Sequence, residues 1–202
     1  MFTSNGDWGK EHPLERYSEK VYCIRGADIQ HVIMGDKGKI PIRFLMESRA
    51  KMKCLTDGDI VIEISGGSPT QSTGRSALIS SQFIERHDAK MICTNFCRVI
   101  KPKEQYSRFI YCYLQFLYEN STFFSYENGT TGIKNLDITR FINTEKIYLP
   151  PISLIERFDK ICRDIFSKIN QDGKEIEYLS KFRDALLPRL MSGELDVSNI
   201  EL

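Results

Sequence analysis

Long apolar runs are missing from this chain. No stretch approaches the roughly 18 consecutive apolar residues of a membrane-spanning helix. The opening residues, MFTSNGDWGKEHP, are polar and lack the apolar centre of a secretory signal, so a cytoplasmic location is expected. In that reducing compartment the six cysteines are expected as free thiols. Cys93 and Cys97, the closest pair, lack the two-residue gap of a zinc knuckle. The three histidines (His12, His31, His87) are scattered, and no His/Cys/Asp group has metal-ligand spacing. No phosphate-loop lysine, G-x-S-x-G elbow or H-E-x-x-H is present. Asp57, Asp59 and Glu63 suggest a metal-dependent nuclease, but the lysine usual two residues beyond such a glutamate is Ser65, and Asp57-Gly58-Asp59 reads as a turn. Pro150-Pro151 has the two prolines of the amino-methyltransferase motif. Leu149 and Ile152 stand where an amide-gripping Asp or Asn and a base-stacking aromatic are needed. No catalytic centre, metal or cofactor is expected in the chain itself.

What is present is ordinary globular material. With 202 residues, 41% apolar and 27% charged, the chain has room for one good-sized domain and an appendage. The net charge of +1 hides an uneven spread: residues 1–150 carry 20 Lys+Arg against 17 Asp+Glu, residues 151–202 carry 8 against 10. Between Asp36 and Lys53 lie six basic residues and two acidic ones, a weak footprint for a polyanion or a solvated face.

Residues 1–20 read as loop. Strands are expected at Val21–Ile24, Pro41–Met46, Ile60–Ile64 and Ala77–Ile79. Another is expected over Ala89–Ile100, with Met91, Cys93, Asn95, Cys97 and Val99 on one face, and another at Glu145–Leu149. Ser107–Glu119 has helical spacing, its aromatics serving a core. Two polar, glycine-bearing segments stand apart. Ser65–Arg75 holds three glycines, a proline and five small hydroxylated residues and must lie at the surface. Tyr126–Leu136 has the same character. Both fit hydrogen bonding to phosphates and base edges, or flexible hairpin tips.

After Pro150-Pro151 comes one long helix, from Ser153 to about Met191. A capping box of Ser153 and Glu156 would open it, and Pro188 would kink or end it. Ile155, Phe158, Cys162, Ile165, Ile169, Ile176, Leu179, Leu186 and Leu190 recur at alternating three- and four-residue steps, interrupted by polar Asp172 and Arg183, a seam of period 3.5 suited to a second long helix. Such a helix, about 57 Å long, is expected to project beyond its own domain rather than fold back on it. The fold class expected is α+β: a mixed or antiparallel-sheet domain over 1–151, then a long coiled-coil-type helix over 152–202.

Several segments together resemble the specificity subunit of Type I restriction-modification systems: YCIRGADI (22–29), LTDGDIVIEISGGSPTQSTGR (55–75), CTNFCRVI (93–100), ENGTTGIKNL (127–136), IYLPPISLIERF (147–158) and FRDALLPRLMSGEL (182–195). The resemblance implies a target-recognition domain and a helix for spacing and methyltransferase docking. It implies double-stranded DNA, a methyltransferase subunit and a restriction/translocase subunit as partners. S-adenosylmethionine, ATP and Mg²⁺ would belong to those subunits. The family usually joins two such units in one chain. A single unit implies a half-subunit, expected to form a homodimer through antiparallel helices crossing near Asp172-Gly173. By residue type, the DNA contacts expected are Ser68, Gln71, Thr73 and Arg75 in the first loop, and Thr130, Thr131, Lys134 and Asn135 in the second. Arg25, Arg43, Arg49 and Lys51 would hold phosphates. The competing readings are an assembly or inhibitor protein that binds methyltransferase subunits without reading DNA, and the nuclease.

Overall fold

The structure is a computed structural model that describes residues 2–68, 70–129 and 132–195, the side chain of Phe2 apart. Its centre is an antiparallel four-stranded sheet in the order β1 (Phe2–Asn5), β8 (Cys97–Lys101), β4 (Ile60–Glu63), β6 (Ser76–Leu78). Strand β4 is apolar at consecutive positions because both of its faces are covered. Val61 points into one core with Ala77, Met91, Cys93, Cys97 and Val99, and this core is closed by α1 (Ile29–Ile33) and α3 (Ser81–Ile84). Ile60, Ile62 and Ile100 point into the other, against Tyr111, Leu114 and Leu117 of α4 (Ser107–Glu119) and Phe141 of α5 (Ile138–Thr144).

A second sheet orders β3 (Ile42–Leu45), β2 (Glu19–Ile24) and β7 (Lys90–Cys93), with β2 parallel to β7. Helix α2 (Glu47–Lys53) packs beside it. The expected α+β class is what the chain adopts.

Local departures have local causes. Residues 2–5 pair with β8 instead of forming loop. The strand expected over Ala89–Ile100 breaks at Thr94–Phe96, so β7 and β8 belong to different sheets. Met91, Cys93, Cys97 and Val99 nevertheless share one core, because the turn restores the alternation that it interrupts. Glu145–Leu149 pairs with no strand among the described residues and is tied down by side chains, Tyr126 Oη donating to Glu145 Oε2 at 2.8 Å.

The last helix, α6 (Ile152–Met191), runs 40 residues, about 60 Å. Pro151 caps it, so Ser153 lies inside its first turn and forms no capping box. Pro188 sits within the final turn, and the helix ends three residues later.

The expected seam is not one face. Ile155 and Cys162 are buried against the same chain, and Phe158 packs edge-on against Phe109, with ring centroids 5.9 Å apart. Ile169 is half-buried, while Ile165, Ile176, Leu179 and Leu190 are exposed and Leu186 is half-exposed. A straight helix rotates about 20° per heptad relative to a 3.5 repeat, so five heptads carry the stripe roughly 100° around the cylinder. The face that packs is therefore Ile155, Asp159, Cys162, Phe166, Asn170, Gly173 and Glu177. Its first half folds back on the domain. Arg108 Nη1 donates to Asp159 Oδ1 at 3.0 Å, and Gln82 Nε2 donates to Ser167 Oγ at 3.0 Å. Gly173 makes its close approach to Gly35 of its own domain, where a Cβ would lie 2.2 Å from the Gly35 carbonyl oxygen. The crossing point expected for a second helix is thus occupied within the chain. Arg86 fastens the same spot by donating to the Gly35 carbonyl and pairing with Glu177.

Candidate nucleic-acid interface

The two glycine-bearing segments, some 60 residues apart in sequence, meet in space. Strand β5 (Ser65–Gly66) pairs with β10 (Lys134–Leu136), which pairs with β9 (Glu127–Asn128), in a third, small antiparallel sheet. Strands of two and three residues give little cohesion alone. Glu127 supplies it: its Oε1 accepts from Thr73 N at 2.6 Å and Thr73 Oγ1 at 2.9 Å, and its Oε2 pairs with Lys134 Nζ at 2.9 Å. Burial works against the charge, but the bonds from Lys134 and Thr73 outweigh it and hold the Glu127 carboxyl below its usual value.

Several expected contacts are therefore engaged inside the fold. Thr73 is fully buried and shapes the first loop. Arg75 forks onto both oxygens of nearly buried Glu63, Nε to Oε2 at 2.9 Å and Nη2 to Oε1 at 2.8 Å, so it is a structural ion pair and not a free base reader. Those bonds raise the Arg75 pKa further. Ser68 accepts from Gln71 N at 3.0 Å and sets the turn. Gln71 and Asn135 remain exposed, the Gln71 side-chain amide donating to the Tyr118 hydroxyl at 3.3 Å. Thr130 and Thr131 lie outside the described residues.

The expected phosphate contacts divide. Arg25 is braced on Asp28 at 2.8 Å and keeps an exposed edge. Arg49 pairs with Asp7 at 3.1 Å. Arg43 is mostly buried beneath the Trp8 ring, 3.9 Å from its centroid, and reaches Glu11 at 3.4 Å. Lys51 pairs with Glu47 on the solvent side of α2. Acidic partners so placed orient a cation, and a phosphate can take over its free donors.

Beside the small sheet opens a cleft of about 540 Å³, lined by Trp8, Arg25, Gly26, Glu63, Gly66, Asn95, Phe96 and Ile133 among others. Sequence reasoning named Arg25 and missed Trp8, Asn95, Phe96 and Ile133. The available signal was an apolar residue set inside an otherwise polar turn. The acids of the nuclease reading are occupied. Asp59 accepts from Thr56 N at 2.8 Å and pairs with Lys101 at 2.6 Å, while Glu63 holds Arg75. Burial pushes the thiols of Cys23 and Cys97 up to about 12, the wrong direction for a nucleophile.

Residues 46–179 match the family described as Type I restriction modification DNA specificity domain. The chain belongs to that family. It is 31% identical over 150 residues to the Type I restriction enzyme MjaIX specificity subunit of Methanocaldococcus jannaschii, covering 74% of this chain and 32% of the relative, so the chain spans about a third of that protein's length. Within this specificity domain the matched span takes in the whole small sheet and the part of α6 that folds back. Trp8, Arg25 and Arg43 lie before it. Among the described residues no helix is long and apolar enough to cross a membrane.

Proposed function

We propose that this specificity domain is a non-catalytic reader of duplex DNA. It selects one half of a split site, and partner subunits then methylate adenine or cleave. The observation that carries this reading is the small sheet. It gathers two remote polar segments on one surface, presents Gln71 and Asn135 to solvent, and stands beside a cleft edged by Arg25. Gln and Asn amides can grip an adenine edge at two points, while Arg25 and Arg49 are suited to phosphates. Exposed Ile176, Leu179, Phe182 and Leu190 on the far half of α6 fit a helical partner, either a second copy or a methyltransferase subunit. S-adenosylmethionine, ATP and Mg²⁺ are assigned to the partner subunits.

The test is enrichment of bound duplexes from a random-sequence pool, by the full chain alone and with its methyltransferase subunit. A reader enriches a defined half-site, and Gln71→Ala or Asn135→Ala relaxes one position by about 1–3 kcal/mol. The internal pairing of Arg75, Lys134 and Lys51 favours a second reading, an assembly or inhibitor protein that binds methyltransferase through α6. That protein would bind the subunit and enrich no sequence.

A further inference from the structure

Phe96 and Ile133 are 56% and 69% exposed, yet both line the cleft beside the small sheet, as does Trp8 of the N-terminal loop. Phe96 sits on a pinned turn, and Ile133 adjoins an anchored strand. The Thr94–Phe96 turn is pinned on three sides: Thr94 N donates to Ile24 O at 2.9 Å, Cys97 N to Thr94 O at 3.0 Å, and Ile64 N to Phe96 O at 2.9 Å. Ile133 precedes Lys134, whose strand is locked by Glu127. The fold therefore spends rigid backbone on holding two large apolar side chains in water, which a protein surface does for a partner.

The flanks say what kind of partner. The cleft shares Trp8 and Asn95 with a polar cleft that carries Lys10, Arg49 and Lys53. It also shares Arg25 and Ala27 with a cleft whose charges balance, Arg25, Lys37, Lys39 and Lys181 against Asp28, Asp36, Glu177 and Asp184. Of the acids lining these clefts, Asp7 pairs with Arg49, Asp28 with Arg25, Glu63 with Arg75, Glu177 with Arg86 and Asp184 with Arg183, and Asp36 hydrogen-bonds His31. An apolar floor beside the basic margin of Lys10, Arg49 and Lys53 matches a DNA major groove, where base edges lie next to a phosphate strand.

We propose that Phe96 and Ile133 read the C5-methyl group of a thymine. This rests on the DNA-reading function proposed above and deepens it. Neither side chain has a polar atom, so neither can discriminate by hydrogen bonding. The thymine methyl is the one apolar group that the four bases present in the major groove. Specificity at that position is then for a methyl, where Gln71 and Asn135 read hydrogen-bond patterns.

The experiment starts from the half-site that the full chain enriches from random-sequence duplexes. Each thymine in turn is replaced by deoxyuridine, which lacks only the methyl, and affinity is read by fluorescence anisotropy. One position is expected to lose about four-fold with the native chain, the equivalent of one buried methyl group. Phe96→Ala is expected to narrow the difference between thymine and deoxyuridine there, and the double change with Ile133→Ser to abolish it, with an unchanged melting temperature. Ile133→Ser gives a second reading of the same position if Phe96→Ala folds poorly. A half-site in which every thymine tolerates deoxyuridine overturns the proposal and leaves DNA reading intact, as does a Phe96→Ala chain with unaltered sensitivity. A native chain that enriches no sequence removes the DNA-reading function, and this proposal with it.

Discussion

At the scale of single residues, partner identity matters more than residue type. Arg75 and Gln71 were equal candidates by chemistry, but Glu63, twelve positions upstream, claims the guanidinium and leaves the amide free. Nothing in the sequence order signals that pairing, because it depends on β4 and the first loop lying side by side. The same holds for Asp159. Burial penalises its charge, and bonds from Arg163 and Arg108 overcome this and hold its pKa below the usual value. Asp159→Ala leaves buried Arg108 with the more distant Asp57 carboxylate at 3.9 Å, and is expected to cost about 3 kcal/mol in urea unfolding, whereas the double change with Arg108→Met recovers most of it. His87 predicts an acid sensitivity. Its Nδ1 lies 3.0 Å from the Phe83 carbonyl, which can only accept, so the neutral ring donates there. Burial lowers its pKa below 6.5, so the unfolded chain binds the extra proton first as pH falls. Stability is full above about 6.5 and declines below it until the folded ring also protonates. Urea midpoints at pH 7.5 and 5.5 are expected to differ less in His87→Gln.

Among the elements, those with long, clean periodicity were legible. The α4 boundaries fall where the spacing put them, and β4 sits in its apolar run. Short helices α1, α2 and α3 were not, since four to seven residues carry too little period to announce themselves. The site was half legible. Both polar segments stand out by glycine and hydroxyl content, but their union in one sheet depends on Glu127, an acid that nothing in the local pattern marks. Glu127→Ala is expected to free Thr73 and Lys134 and raise amide exchange in residues 65–75 and 134–136 with little change in the core. On the DNA-reading function proposed above, affinity for the enriched half-site falls with it, because the two loops lose their common frame.

For the whole molecule, α6 divides near Glu177 into a part bound to its own domain and a part with exposed Leu179, Phe182 and Leu190. If a second copy covers that part, light scattering gives a mass near twice 23.4 kDa that Leu179→Glu with Phe182→Glu halves, whereas a mass near 23.4 kDa assigns it to the methyltransferase subunit. The heptad count was correct as arithmetic, yet it could not show that a straight helix turns its stripe away from the domain partway along. The junction at Gly173 has a mechanical consequence. From there to Met191 the helix advances about 27 Å, so each degree of tilt at the Gly35 contact moves the tip by about half an ångström. Gly173→Ala forces that tilt and is expected to displace a spin label near the tip without touching the reading surface. The Gly35–Arg86–Gly173 seat shares no residue with the small sheet. Target preference and the angle at which the arm is held can therefore change independently, so recognition loops could be exchanged between such chains while the arm keeps its aim.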